Sequence, residues 1–289
     1  MNYLTVEEIA NKWGLSARSV RNYCNQGRVR GAYLNGKTWL IPENAAKPGK
    51  ANEFLSILRQ EKQARQKGGI YHKVQVDFAY NSNHMEGNTL THDQTRYIYE
   101  TNTISFDGSM SVSVSDVMEI ANHFRCVDMV IDNTDEPLSE KLIKSLHYTL
   151  KTGTMDETNR YAIGDYKNWP NVAGDRETAQ PEEVGALMKQ LMKDYSNKRK
   201  KGIDDILEFH YRFECIHPFQ DGNGRIGRLI MFRECLRYNI IPFIITDDFR
   251  WYYIRGLKQW TQERGFLRDT CLMAQDQFKK YLDYFRIPY

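Results

Sequence analysis

Residues 217–228, His-Pro-Phe-Gln-Asp-Gly-Asn-Gly-Arg-Ile-Gly-Arg, leave this chain few ways to fold. A helical run over 203–213 ends near Cys215, a loop carries His217 to Gly222, and a new helix begins near Asn223. The break sets the free N–H groups of a helix start around one point. Gly222 and Gly224 let that backbone come close to a ligand. Converging donors and the helix dipole make such a cup suited to phosphate.

The side chains in the same dozen residues add chemistry to the cup. Arg225 and Arg228 are three apart, so they leave one helix face together and can bridge phosphate oxygens. Asp221 is placed to hold Mg²⁺, which prefers a carboxylate combined with phosphate oxygens. His217 titrates near neutrality and can take a proton from an attacking hydroxyl. A lone histidine is more often packed, a lone DGNG is more often a turn, and a lone arginine pair is usually structural. Base, metal ligand and anion cup together predict a phosphoryl- or nucleotidyl-transfer site.

The rest of the chain frames that site. A length of 289 residues allows one large domain or two unequal ones, and 27% charged with 41% hydrophobic residues is a soluble globular balance. The net charge of +3 is unevenly spread: residues 1–50 hold eight Lys/Arg against three Asp/Glu, leaving the remainder at −2. That asymmetry favours a small N-terminal module facing nucleic acid; a solvated basic surface is the plainer reading. Cys24, Cys126, Cys215, Cys235 and Cys271 form no CxxC pair and no zinc spacing, which fits reduced thiols. No apolar run has membrane-span length and Met1-Asn2-Tyr3 does not open a signal peptide, so a cytoplasmic protein is expected.

At the N-terminus, Thr5-Val6-Glu7-Glu8 reads as a capping box that starts a short helix with Ile9, Ala10 and Trp13 inward. Gly14 turns the chain, Ser16 caps a second helix over 17–26, and Gly27 ends it. Strand-like runs at 29–34 and 37–41 flank Asn35-Gly36, a strong hairpin signal. Helix, turn, helix and hairpin over 1–45 is the layout of a winged helix-turn-helix. The stretch resembles the small DNA-binding modules of excisionase and MerR-type regulators. That resemblance implies that Arg18, Arg21 and Asn22 face the major groove. A protein-interaction or dimerisation domain on the same layout is the alternative.

A linker and connector helix are expected over 46–69, centred on Ala-Ala-Lys-Pro-Gly-Lys and followed by a charged helical run over 53–66. From 70 to 289 the chain reads as mainly α. Helices are expected over 94–101, 112–131, 139–151, 181–197, 203–213, 229–238, 249–264 and 270–285. A polar loop is expected over 103–111, and a loop with a short hairpin over 152–181. The run 198–201 reads as an exposed basic turn, with a phosphate patch as the alternative.

The motif matches the Fic pattern His-Pro-Phe-x-Asp/Glu-Gly-Asn-Gly-Arg-x-x-Arg without departure, and similarity of organisation runs from about 70 to 270. The resemblance implies a Fic-type helical domain with the motif between two central helices. It implies transfer of AMP from ATP to a hydroxyl of a target protein, with pyrophosphate leaving. His217 is then the base and Asp221 holds Mg²⁺. Gly222, Asn223 and Gly224 hold phosphate, Arg225 and Arg228 hold the β- and γ-phosphates, and Phe219 anchors the loop. Doc-type relatives that act as kinases carry lysine where Gly224 stands, so Gly224 favours AMP transfer. By position, a hairpin near Ile163 to Val172, with Ile163, Gly164, Asp165 and Tyr166 as its site residues, corresponds to the flap that clamps a target segment as an added strand. Tyr252 and Tyr253 fall where relatives line the adenine pocket; core packing explains them equally well.

Ser82-Asn83-His84-Met85-Glu86-Gly87 fits the inhibitory pattern of the same family, Ser/Thr-x-x-x-Glu-Gly/Asn, on an inhibitory helix near 82–87. The resemblance implies that Glu86 occupies Arg228 and spoils the pose of ATP. In some relatives the same glutamate instead activates water to remove AMP. A helix-capping serine beside an exposed glutamate is the structural alternative. The expected function is an autoinhibited protein adenylyltransferase. The other readings are a nucleotide-sensing transcription regulator and a bifunctional enzyme that adds and removes AMP. ATP, Mg²⁺, a target protein and DNA are the expected ligands, no membrane is expected, and a second copy of the chain stays open.

Overall fold

A computed structural model describes residues 2–25, 29, 31–45, 47, 52–104, 111–174 and 176–289. Gly27 as a helix end, most of the linker centre and most of the polar loop at 105–110 lie outside the described residues. The chain divides into two compact units, Met1–Ala51 and Asn52–Tyr289.

The first unit runs β1 (Tyr3–Leu4), α1 (Val6–Trp13), α2 (Ala17–Asn25), β2 (Tyr33–Asn35) and β3 (Thr38–Pro42). Thr5 and Glu8 complete the capping box at the start of α1. Gly14 closes the helix at φ 64°, a left-handed conformation that costs glycine little. Ser16 Oγ accepts from the Ser19 N–H at 3.1 Å and so caps α2. The hairpin turns at Gly36, pairing Asn35 with Thr38. β1 adds a third antiparallel strand through Tyr3–Pro42 and Leu4–Ile41, which two residues could not announce by alternation. Val6, Ile9, Trp13, Val20, Cys24 and Ile41 form the small core.

The second unit is mainly α-helical. It runs α3 (Glu53–Ala64), α4 (Ile70–His84), α5 (His92–Thr101), α6 (Val114–Asp132), α7 (Glu140–Lys151), α8 (Met155–Thr158), β4 (Val172–Ala173), β5 (Arg176–Glu177), α9 (Pro181–Asn197), α10 (Ile203–Ile216), α11 (Asn223–Arg237), α12 (Arg250–Lys258) and α13 (Gly265–Tyr284). α11 buries residues on every face and packs against α4, α6, α7 and α10. It is buried all round although it carries Arg225, Arg228, Arg233 and Glu234, so the motif's charged groups are brought into the core. Phe78, Phe213, Phe219, Phe232 and Phe278 fill the main cluster. α12 and α13 close a second cluster around Met231, Phe243, Tyr253 and Leu267. No described helix is long and apolar enough to cross a membrane.

Three expectations change. α3 is more than a connector with solvated faces: Phe54, Leu55 and Leu58 enter the main core. Glu86 does not sit on a helix; α4 ends at His84, and the chain turns through Met85 and Gly87, whose φ is 95°. The hairpin lies at 172–177, pairing Val172 with Glu177 and Ala173 with Arg176, and not at Ile163–Tyr166. The earlier stretch is a turn tied to α7. Gly164 N–H donates to His147 Nδ1 at 2.9 Å, Asp165 pairs with Lys144 at 2.6 Å, and Tyr166 OH donates to Glu140 at 2.6 Å.

Candidate active site

The motif loop is built by local backbone chemistry. His217 closes α10 in the left-handed region, at φ 51° and ψ 62°. This costs a residue with a Cβ about 1–2 kcal/mol, which neighbouring contacts must offset. Phe219 supplies the largest one: it is fully buried and stacks on His147 with ring centres 3.9 Å apart. Asn223 supplies another. Its Oδ1 accepts from the Phe219 N–H and its Nδ2 donates to the Phe219 carbonyl, both at 2.8 Å. The amide expected to hold phosphate is therefore spent on closing the loop. Gly222, at φ 81°, caps α11 and frees the helix start. The Lys167 N–H and the Asn171 amide tie the Pro218 and Phe219 carbonyls at 2.9 Å each.

Charged groups converge behind that loop. Lys151, 3% exposed, places Nζ 2.5 Å from oxygens of Glu119, Asp156 and Asp221. Arg225, equally buried, pairs with Glu119, meets Asp221 at 2.8 Å and donates to Asn83 Oδ1 at 3.2 Å. Desolvation would raise the Asp221 carboxyl, but Arg225 and Lys151 hold it far below the usual carboxylate range. Among the described residues, Glu119, Asp156 and Asp221 form the one carboxylate group with metal-site spacing. The Lys151 ammonium already contacts all three, so this cluster is a cation site filled by the protein itself. Asp221 is nonetheless half exposed and lines the adjoining pocket, so it fits as a single carboxylate ligand for a phosphate-bound cation.

On the next turn of α11, Arg228 is held by α4 and the segment after it. Its Nε donates to Ser82 Oγ at 3.0 Å, and Nη2 donates to the Ser82 carbonyl at 2.8 Å and to Glu86 Oε1 at 2.6 Å. Burial opposes ionisation of both partners; the pairing overcomes it, lowering the Glu86 carboxyl and raising Arg228. Gly224 completes the seat. A Cβ there would lie 2.3 Å from Glu86 Oε1.

The pocket is lined by His217, Asp221, Gly224, Arg228, Glu86, Glu214 and Tyr253 on one side and by 172–174, Arg176 and Glu177 on the other. Burial, reinforced by Lys167, lowers His217 to about 4, so its imidazole is unprotonated at neutral pH. Tyr253 is buried and bonds His210 Nε2 at 2.6 Å, whereas Tyr252 is half exposed beside Arg255. The structure thus brings together His217, Asp221, Gly222, Gly224, Arg228, Ser82, Glu86 and Tyr253. It leaves Tyr252 and residues 163–166 outside the pocket lining and puts Arg225 behind it. Sequence reasoning missed Lys151, Glu119, His147 and Glu214. His147 was findable only through the spacing of four to Lys151 on α7, where its Nε2 meets the Asp221 carbonyl at 3.1 Å.

Within the first unit, Arg18 and Asn22 are exposed along α2. Arg21 is exposed too, but its guanidinium is paired with Glu7 at 2.6 Å.

Residues 137–235, which include the whole motif, match the Fic/DOC family. The chain is 28% identical over 209 residues to protein adenylyltransferase Fic of Nematostella vectensis, covering 70% of this chain and 48% of that one. It is 27% identical over 238 residues to protein adenylyltransferase Fic of Drosophila persimilis, covering 80% and 43%. The chain therefore spans about half the length of the curated relatives it matches. A Fic domain containing signaling protein from Bacteroides thetaiotaomicron superimposes with a TM-score of 0.60 at 27% identity, covering 81% of this chain and 91% of that one. In sequence and in fold, the helices around the His217 loop are similar to those of Fic/DOC family domains.

Proposed function

We propose that the second unit is a protein adenylyltransferase, transferring AMP from ATP to a target hydroxyl, with Glu86 as its brake. The observation that carries the reading is the 2.6 Å bond between Glu86 and Arg228 inside the pocket of His217. His217, neutral at working pH, accepts the hydroxyl proton. The helix start at Gly222–Gly224 offers N–H donors to phosphate, and Arg228 holds the distal phosphates once Glu86 leaves. Arg225 supports this from behind by fixing Asp221. Asp221 would hold Mg²⁺, which supplies charge neutralisation between phosphates. The β4–β5 hairpin, at the rim of the pocket, takes the role of target clamp.

A desolvated, charge-assisted pair such as Glu86–Arg228 contributes about 1–3 kcal/mol, enough to reduce productive binding by about fivefold to 150-fold. Incubation with α-labelled ATP and candidate target lysate tests the reading. Glu86→Gly should raise protein-bound AMP label, and His217→Ala in that background should abolish it. Equal labelling by wild type and Glu86→Gly, both folded, would remove the brake. No labelling by either, with ATP altering DNA affinity, would favour a nucleotide sensor. The second reading concerns the first unit, which we take to bind DNA through α2. Its exposed Arg18 and Asn22 on a strongly basic segment support this.

A further inference from the structure

Glu214 lies one turn before His217 on α10, is 8% exposed, and lines the pocket with it. Its Oε1 is buried with no hydrogen-bond partner, and Nδ1 of His217 is likewise buried and unpartnered. The other carboxylate oxygen, Oε2, stands 3.7 Å from that nitrogen. This is beyond hydrogen-bond range, by less than about 1 Å. Two complementary buried groups, each without a partner, thus face each other beside the proposed base. Leaving a carboxyl in that state is costly, and native structures keep such groups for a use.

Oε1 shares the space around Gly227 with His210 Nδ1, which is also buried and unpartnered, so the oxygen that concerns His217 is Oε2. Arg228 is engaged by Glu86 and Ser82. The hydrogen bond of Arg176 goes to the Glu214 backbone, Nη2 donating to the carbonyl at 2.9 Å, while its charge acts on the carboxyl from a distance. Room for the carboxyl is preserved by Gly227, where a Cβ would lie 2.7 Å from Oε1.

We propose that Glu214 is a positioning residue for His217, its carboxylate accepting a hydrogen bond from Nδ1–H when the site engages substrate. That bond selects the tautomer whose Nε2 is free to accept a proton. The inference rests on the adenylyl-transfer reading. In that reaction the hydroxyl oxygen bonds to the α-phosphorus, the bond from that phosphorus to the pyrophosphate oxygen breaks, and the hydroxyl proton passes to Nε2. The Glu214 carboxylate takes no proton; it stabilises the imidazolium that forms.

The pH dependence follows from the surroundings of Glu214. It is faced by Arg228 on α11, Glu86 after α4, Arg176 on β5, and His210 and His217 on or beside its own helix. Burial raises its carboxyl to about 7, with Arg228 opposing and Glu86 assisting. The acid limb of transfer therefore belongs to Glu214, because His217 is lowered to about 4, and it lies at or below about 7 in Glu86→Gly, where the assisting charge is gone.

The test uses the full chain carrying Glu86→Gly, with Glu214→Gln and Glu214→Asp added separately. The Gln variant should lose at least about tenfold in kcat, with KM for ATP within about twofold and no acid limb near 7. The Asp variant should recover part of the rate and keep a limb. ¹⁵N shifts of the His217 ring, assigned with His217→Asn, should show Nδ1–H as the main tautomer with Glu214 and a mixture with Gln. A residue that only supports the fold would lower Tm and leave ring shifts and limb unchanged, and that result would overturn the proposal. The ring measurement decides this even where no AMP is transferred, so failure of the enzyme reading is separately visible.

Discussion

The Glu86 carboxylate fills the space that a side chain on Gly224 would need: a Cβ there would meet Glu86 Oε1 at 2.3 Å and Arg228 Nη1 at 3.0 Å. On the proposed function, the brake and the phosphate cup thus share one small space. Gly224→Ala should displace Glu86 without activating the protein, because the added methyl also blocks the cup. Label transfer by the Glu86→Gly, Gly224→Ala double variant should stay at least about tenfold below Glu86→Gly alone. Equal transfer would show that the cup lies elsewhere.

Ser82 is buried and accepts from Arg228 Nε at 3.0 Å. Losing a hydrogen bond to a charged partner there should cost about 1–2 kcal/mol. For Ser82→Ala that is a fall in Tm of about 2–6 °C. Glu86 and the Ser82 carbonyl still hold Arg228, so labelling should rise less than in Glu86→Gly. Differential scanning calorimetry beside the label assay checks both parts.

Lys151→Met would leave Glu119, Asp156 and Asp221 facing one another without their ammonium. Removing one partner from a buried ionic group costs about 3–5 kcal/mol. We expect a urea midpoint shifted down accordingly and, in the Glu86→Gly background, a higher Mg²⁺ requirement, since Asp221 loses a restraint. An unchanged midpoint would mean that the cluster is not held by Lys151.

Acid should destabilise the second unit through its buried histidines. Burial lowers His123, His147 and His210 to about 3 and His217 to about 4. A histidine with a folded value below its unfolded value of about 6.5 gives its full stability above that pH and loses it as pH falls toward the folded value. Each such group contributes up to about 1.4 kcal/mol per pH unit in that window. Glu214, raised to about 7, acts oppositely between about 4.5 and 7 and offsets only one of the four. Urea melts from pH 7 to pH 5 should show a steady fall, shallower in His123→Gln. A flat series would contradict this.

If α2 reads DNA, Arg18→Ala should weaken binding of the first unit to duplex across sequences and reduce the salt slope by about one. Arg21→Ala should do less, because Glu7 already neutralises it. Fluorescence anisotropy at several salt concentrations separates the two.

The parts of the site that could be read in advance are consecutive in sequence. His217, Asp221, Gly222, Gly224 and Arg228 lie in one motif, and Ser82 with Glu86 form a short pattern of fixed spacing. Most helices of the second unit were likewise legible from their apolar period; α4, buried on several faces and therefore without a clear period, was not. Lys151 was not, because a lysine ending an amphipathic helix looks like a favourable dipole partner in water. Glu214 was hidden for a related reason: a glutamate on a helix is ordinarily solvated, and only packing shows that this one is dry. The hairpin was placed about ten residues early because two-residue strands carry no alternation. Asn223 was found but given the wrong task, since an amide that closes a loop and one that faces a ligand are identical in sequence.

Ser82 lies within α4, whereas Glu86 lies past its end, in the turn through Gly87. If Glu86 is the brake proposed above, its contact with Arg228 is anchored by one turn of backbone and needs no domain to swing aside. Fraying at a helix end occurs on a timescale near a microsecond. Basal output then reads as a leak, set by how much of the time that turn is undone. A partner able to grip residues 85–87 would act as a throttle, adjusting the rate continuously between its two extremes.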